Sequence, residues 1–74
     1  MKFKIRLDTD TAATRLVGLA TGLNEKVTLT DNNGLVVSAK SLLGAMYVRF
    51  EFQEIWLETE NDHYFLFKDF IIEE

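Results

Sequence analysis

Hydrophobic and polar residues alternate in two well-separated segments of the chain. Over residues 2–8, every second residue from Phe3 onward is apolar, and basic residues occupy the positions between. Over residues 53–60, Ile55 and Leu57 fall on one side of an extended chain and their neighbours on the other. A period of two is typical of half-buried strands, so both segments predict strands, the second ordered over about 53–60.

A helical period follows the first strand. Apolar residues recur at spacings of three and four over residues 12–23. The polar run at residues 8–11 supplies several possible N-caps, and Gly22 and Asn24 are suitable terminators. The spacing therefore predicts a helix from about residue 10 to about residue 23. Because it contains two glycines, this helix depends on tertiary packing more than on intrinsic propensity.

A hairpin and a short helix occupy the middle of the chain. Val27 and Leu29 alternate with threonines, and Asn33-Gly34 is a strong turn signal before a second strand at residues 35–39. The segment from Ser41 to about residue 47 then predicts a short helix.

The last segment, residues 62–74, fits two structures. Helical spacing links Phe67, Phe70 and Ile71, with a polar cap at Asn61 or at residue 62, whereas the aromatic and β-branched content favours a strand. We adopt the helix. The order is then β-α-β-β-α-β-α, an α+β open-faced sandwich with the helices on one side of the sheet.

Length and composition predict one small domain, residues 1–74, that buries only ~60% of the surface its unfolded chain exposes. The chain has no cysteine and one histidine, which excludes disulfides and thiolate or histidine-rich metal sites. No apolar run approaches the ~20 residues of a membrane span, and the start, MKFKIRLD, lacks the core of a signal peptide. We therefore expect a soluble, cytoplasmic protein.

The two parts of the chain carry opposite charge. Residues 1–50 hold seven Lys and Arg against four Asp and Glu, whereas residues 51–74 hold one basic residue against eight acidic ones. An overall charge of −4 disfavours direct binding to nucleic acid. The acidic end is interpreted as a solvated face, with a docking face for a basic partner as the alternative.

Two stretches of the sequence carry a family resemblance. Residues 16–23 read LVGLATGL and are followed, after three residues, by Val27-Thr28-Leu29; residues 37–46 read VSAKSLLGAM after an Asn-Gly turn. This succession resembles HPr, the histidine-containing phosphocarrier of the bacterial sugar phosphotransferase system. That family shows Leu-Val-x-x-Ala-x-x-Phe, then Ile-x-Leu, then Val-x-x-Lys-Ser-Ile-x-Gly-x-Met. The resemblance covers about residues 1–60 and implies an antiparallel four-stranded sheet.

The resemblance fails at the active site of the family, a His-x-Arg-Pro-Ala run just before the long helix. In this register the histidine position is Thr9, the arginine position is Thr11 and the proline position is Ala12. A threonine hydroxyl without a base is a poor phosphoryl acceptor, and the lost arginine removes a charge that would hold phosphate. Asp10 adds a repelling charge, and His63 lies far along the chain. We therefore expect no phosphocarrier activity.

Ser41 has two interpretations that are compatible with each other. At the start of a helix its hydroxyl can accept hydrogen bonds from free backbone N–H groups, which stabilises the helix by ~1 kcal/mol. The resemblance also aligns Ser41 with a regulatory phosphorylation site of some family members. The helix dipole would favour a phosphate at this position.

Too many apolar residues follow Ser41 for one side of a two-turn helix to bury. In the family the matching residues form an exposed patch that docks partner proteins, and a methionine-containing patch is a common interaction surface. The alternative is that two of the four apolar residues are core. The predicted partner-binding residues are Lys40, Ser41, Leu42, Leu43, Met46 and Tyr47.

Other candidates have simpler explanations. Residues 9–11 could hold an anion at the helix start, although capping suffices. The carboxylates after residue 57 could form a cluster, although solvated acids explain them. Trp56 could mark an interface or cover a sheet edge.

The sequence thus predicts an HPr-like regulatory domain that binds a protein, such as a phosphotransferase enzyme, a kinase or a transcription regulator. The alternative is a phosphotransferase-system component, either a carrier or a decoy. The sequence shows no nucleophile–base pair, metal cluster or cofactor motif, and we expect no enzymatic activity, no cofactor and no membrane partner.

Overall fold

The computed structural model describes residues 1–72. Within them the elements follow the predicted order: β1 (Lys2–Ile5), α1 (Asp10–Thr21), β2 (Val27–Thr30), β3 (Val36–Ser38), α2 (Leu42–Glu51), β4 (Ile55–Thr59) and α3 (Tyr64–Phe67). The fold is α+β, and the four strands form one open antiparallel sheet in the order β1-β4-β2-β3. The last two residues of the predicted 1–74 domain and of the predicted 62–74 tail lie outside the described residues.

The strand register separates an apolar face of the sheet from a polar one. Phe3 pairs with Leu57, Leu57 with Leu29 and Leu29 with Val37, so one row of apolar side chains crosses all four strands. Because side chains alternate along a strand, Trp56 belongs to the opposite face. The buried residues of the helices cluster with the apolar row, which places the helices on that one face, as predicted.

Helix α1 is capped at both ends. The Thr9 hydroxyl accepts a hydrogen bond from the backbone N–H of Ala12 at 3.0 Å. Leu16 and its helical neighbours on the same side are fully buried. At the other end the helix stops at Thr21, two residues before the predicted end, and the N–H of the C-cap residue Gly22 donates to the Leu19 carbonyl at 3.3 Å. The side chain of Lys40 donates to the Leu23 carbonyl, just beyond the helix, at 2.7 Å.

Helix α2 is longer than predicted and β4 correspondingly shorter. The sequence predicted a helix to about Tyr47, but Val48 is fully buried and accepts a hydrogen bond from the Phe52 N–H, so the helix continues to Glu51. Strand β4 then begins at Ile55.

The hairpin between β2 and β3 turns through a five-residue loop, residues 31–35. Asn32 and Gly34 both have positive φ, and the Asp31 carboxylate accepts from the N–H groups of Asn33 and Leu35. The turn lies where the Asn-Gly pair indicated it, but the wider loop shortens the second strand from the predicted 35–39.

The prediction of a helix through Ile71 in the tail is wrong in extent. Helix α3 is a single turn, after which Ile71 forms an antiparallel bridge with Ile5 and the Ile72 N–H donates to the Lys4 carbonyl. Phe67 and Phe70 are both buried, and the Phe70 N–H donates to the Phe67 carbonyl in a tight turn. This turn accounts for the three-residue spacing that resembled a helix. The tail therefore combines both structures that the sequence suggested, and it covers part of the free edge of β1.

Candidate docking surface on helix α2

Helix α2 is apolar on its outer side as well as on its inner side. Ala45 and Val48 face the core and are fully buried, whereas Leu43 is 86% exposed and Phe50 is 69% exposed. A separation of seven residues places Leu43 and Phe50 on the same line of the helix surface. A helix that is hydrophobic all round is normally covered on all sides, and here one side is open.

Two further residues complete this outer surface. Tyr47 is 52% exposed and packs edge-on against Phe52, with 6.2 Å between the ring centroids. Met46 is half-buried and packs against the core cluster. Together Leu43, Met46, Tyr47 and Phe50 form an apolar row along the helix, which we call the α2 stripe.

The stripe shares Leu43, Met46 and Tyr47 with the residues predicted to bind a partner, and it adds Phe50. Of the predicted apolar residues, Leu42, Leu43 and Tyr47 are exposed, and Met46 is the one that contributes to the core. Phe50 was missed because the predicted helix ended at Tyr47. Continuing the seven-residue spacing from Leu43 would have found it.

The predicted partner-binding residues Lys40 and Ser41 have structural partners. The Ser41 hydroxyl accepts a hydrogen bond from the Gly44 N–H at 3.0 Å and caps α2. The Lys40 ammonium donates to the Leu23 carbonyl in the loop that follows α1. Gly44 lies so close to β3 that a Cβ there would overlap the Val37 side chain. Capping and close packing therefore explain the Lys-Ser-x-x-Gly part of the motif.

Arg49 fastens the other end of α2 to the start of α1. Its guanidinium donates to the Asp10 carboxylate at 3.1 Å and to the Asp8 carbonyl at 2.8 Å, and it lies 4.6 Å from the centre of the Phe50 ring. The guanidinium therefore contacts both the start of α1 and the ring of Phe50, and the Arg49 side chain is largely buried. The positive charge nearest to the stripe at this end is already neutralised by α1.

The positions that the resemblance aligns with the phosphocarrier site lie at the N-cap and on the first turn of α1. Thr9 caps α1, Thr11 is exposed on its first turn, and Ala12 is half-buried against the core. Two arginines that lie outside the aligned run of residues 9–13, Arg6 and Arg15, line an open cleft beside Thr9.

Both of these arginines already have carboxylate partners. Arg6 lies 3.8 Å from Asp8, and Arg15 lies 3.5 Å from Asp69. The cleft therefore contains opposed charges rather than an uncompensated positive site for phosphate.

His63 lies at the opposite end of α1 from Thr9. Its Nε2 is 2.6 Å from the Glu25 carboxylate in the loop that follows α1. The same carboxylate accepts from the N–H groups of Glu60 and Asn61 at 2.8 and 3.0 Å. These hydrogen bonds, from His63 first and Asn61 second, lower the pKa of Glu25 to about 2.

The Glu25–His63 pair joins two loops. A histidine–carboxylate pair can serve acid–base catalysis when it contacts a nucleophile. Within residues 1–72, no hydroxyl group is hydrogen-bonded to this imidazole. The Glu25 carboxylate is fully occupied by donors, which is the arrangement of a structural anchor. Sequence reasoning missed the pair because its members are 38 residues apart.

The structure was also compared with the expectations for a metal site, a membrane span and Trp56. The described residues contain no group of three or more His, Asp or Glu side chains placed to hold a metal ion. None of the helices among these residues has the length and apolar character that crossing a membrane requires. Trp56 is half-buried on the polar face of the sheet, with the Lys2 ammonium 5.8 Å from its ring centre.

Comparison with known proteins found no similar protein. No protein-family model, curated protein or solved structure matches the chain. The likeness to the phosphocarrier family therefore rests on the two sequence stretches quoted above.

Proposed function

We propose that this chain is an HPr-like regulatory domain that binds a partner protein and has no phosphocarrier activity. The docking surface is the α2 stripe, flanked by Lys40, Ser41 and Leu42. The observation that carries the proposal is the open outer side of α2, where Leu43 and Phe50 lie exposed on one line of the helix.

Exposure of these side chains is energetically significant. Fully burying a leucine or phenylalanine side chain contributes ~1.5–3 kcal/mol. Contiguous exposed apolar surface on a small soluble protein commonly marks a protein–protein contact. The stripe is also held on a rigid helix, capped by Ser41 and fastened by Arg49, so little ordering cost accompanies binding.

The absence of phosphocarrier activity is inferred from the start of α1. The Thr9 hydroxyl is engaged in capping, and Asp10 and Asp8 surround the position where an imidazole would be needed. His63 is held by Glu25 beyond the other end of the helix. A carrier needs an imidazole that a phosphohistidine donor can approach, together with cations for the phosphate.

A phosphotransfer assay tests the second half of the proposal. The chain is incubated with phosphoenolpyruvate and the first enzyme of the phosphotransferase system, and acid-labile phosphate is measured by mass spectrometry. We expect no mass increase. Phosphate on any residue would contradict the proposal and favour the alternative of a phosphotransferase component.

A capture experiment tests the first half. Tagged wild type, Leu43→Asp and Phe65→Asp are used to capture proteins from a lysate. Leu43 and Phe65 are 86% and 83% exposed, so neither change disturbs the core, and Phe65 lies on α3. We expect partners that Phe65→Asp retains and Leu43→Asp loses. Equal capture by all three chains would count against docking on α2.

Regulation through Ser41 is a further part of the proposal. A phosphate there would lie at the N-terminus of α2, where the helix dipole favours negative charge, and next to the stripe. Incubation with ATP and the serine kinase of the family should label the wild type and leave Ser41→Ala unlabelled. An unlabelled wild type would remove this part.

A further inference from the structure

We infer that the α2 stripe is covered by a second copy of this chain when no partner is bound. The two α2 helices lie antiparallel across a two-fold axis. This self-association concerns the same surface as the proposed function, but it does not depend on any other protein.

The order of side chains on the stripe suits such a pairing. Leu43 and Phe50 are equally distant from a point between Met46 and Tyr47, because they lie three and a half residues on either side of it. A two-fold axis through that point sets Leu43 of each copy against Phe50 of the other. The smaller side chain then meets the larger one, and Met46 and Tyr47 meet their own counterparts near the axis.

The charges at the two ends of α2 favour the antiparallel arrangement. Lys40 precedes the helix and is exposed; its ammonium gives one hydrogen bond to Leu23 and has two further protons to donate. The opposite end is acidic, with Glu51 closing the helix and Asp31 lining the recess beside it.

Antiparallel packing brings each basic end to the acidic end of the other copy. Parallel packing would bring like charges together. Arg49 does not cancel the acidic end, because it is bound to the Asp10 carboxylate of α1 and to the Asp8 carbonyl just before α1. Glu54, also near this end, is bound to Lys4 at 3.1 Å, so the argument rests on Glu51 and Asp31.

The size of the surface indicates a weak dimer. A ten-residue helix is ~15 Å long. Stable interfaces bury ~800 Å² per partner, about a sixth of the 4673 Å² surface of this chain. Such interfaces use ~20–30 residues on each side, whereas the stripe has four, so the dimer should form at high concentration and give way to a tighter partner.

Sedimentation equilibrium tests the association directly. Between about 10 µM and about 1 mM, the mass of wild type should rise from 8.5 kDa toward twice that value. Leu43→Asp should remain monomeric over this range, and Phe65→Asp, the equally exposed control, should behave as wild type. A monomeric wild type, or a dimer that Leu43→Asp leaves intact, would overturn the inference.

A charge exchange tests the antiparallel geometry. At low salt, Lys40→Glu and Glu51→Lys should each weaken the dimer about threefold or more, since each single change sets like charges together at both ends. The double variant should return to within about twofold of wild type, because the exchanged ends again have opposite signs. Failure of the double variant to recover would contradict this arrangement.

The two proposals fail separately. A chain that is monomeric at every concentration, but whose partner capture depends on Leu43, would overturn self-association and leave the proposed function standing. A dimer that requires Leu43, in a chain whose capture of other proteins does not, would leave self-association and overturn docking of a partner.

Discussion

Gly44 and Gly18 both lie inside helices, but only one of them is required by packing. A Cβ on Gly44 would overlap the Val37 side chain and would approach the Ser38 carbonyl and the Ser41 Cβ at 3.3 Å. A Cβ on Gly18 would meet nothing within 4 Å. Gly44 therefore sets how closely α2 approaches β3, whereas Gly18 only lowers the propensity of α1.

The two glycines should respond oppositely to alanine. Gly18→Ala is expected to raise the free energy of unfolding by ~1 kcal/mol, the helix-propensity difference. Gly44→Ala gains the same term but introduces an overlap that costs ~1–3 kcal/mol, since the β-branched Val37 has little freedom to rotate away. Urea denaturation of both variants measures the signs. A Gly44→Ala chain as stable as Gly18→Ala would show that α2 and β3 are not closely packed.

Ser41 should contribute to stability whether or not it is ever phosphorylated. Its hydroxyl accepts from Gly44 N–H at the start of α2. Ser41→Ala should lower the free energy of unfolding by ~1 kcal/mol, about 4–8 °C in melting temperature for a domain of this size. Ser41→Asp retains a capping oxygen and should stay near wild type. Equal losses in both variants would argue against capping as the role of this residue.

At the scale of elements, Glu25 connects the loop after α1 with the loop after β4. Its carboxylate accepts hydrogen bonds from backbone and side-chain donors of residues 60–63, and the Lys26 N–H returns a bond to Glu60. These contacts hold the end of the sheet against the turn that leads to α3. The side chain of Glu25 is 12% exposed, so the anchor is largely shielded from water.

This anchor gives stability a defined dependence on pH. The pKa of Glu25 falls from an ordinary 4.5 to about 2, first because of the hydrogen bond with His63 and then because of Asn61. Between those values the unfolded chain binds more protons than the folded chain. The contribution of Glu25 is therefore complete above about pH 4.5 and is lost as the pH falls through about 2.

Glu25→Gln should remove this part of the pH dependence. A glutamine places N–H donors toward other donors, so the variant should be less stable than wild type at pH 7. Urea denaturation at several pH values should show the difference shrinking as the pH approaches 2. Glu58→Gln, which removes a carboxylate from the polar face of the sheet, controls for the loss of one charge. A constant difference between wild type and Glu25→Gln would contradict the anchoring role.

The elements that could be predicted from the sequence are those whose pattern is local. The alternation of apolar and polar residues predicted strands β1 and β4 and which face of each is buried. The apolar spacing of α1 predicted the ends of that helix to within two residues. The tail could not be predicted, because Phe67 and Phe70 satisfy a helical spacing while Ile71 pairs with the distant Ile5. The Glu25–His63 pair depends on the same kind of long-range contact, and no local pattern marks it.

The candidate surface was predicted in part for a related reason. The motif around Ser41 indicated an exposed apolar helix, and Leu43 and Tyr47 are indeed exposed. Where α2 ends is decided by the burial of Val48, which depends on packing against the sheet and α1. Phe50 joined the surface only through that extension.

At the scale of the whole molecule, the chain is a small domain with little stability to spare. The free energy of unfolding of a domain is roughly 0.05–0.15 kcal/mol per residue, or about 4–11 kcal/mol for this length. The chain has no disulfide to supplement its core. Each large core side chain is therefore a substantial part of the total, and this includes side chains from the single-turn helix α3.

Phe67 and Phe65 provide a matched test of that statement. Phe67 is fully buried and Phe65 is 83% exposed, although both belong to α3. Phe67→Ala should lower the free energy of unfolding by ~3–5 kcal/mol through lost burial and a residual cavity, a large part of the total. Phe65→Ala should change the unfolding free energy by less than about 0.5 kcal/mol. Circular dichroism and urea denaturation distinguish the two variants. If Phe67→Ala were tolerated as well as Phe65→Ala, the tail would not be part of the core, and the domain would end at β4.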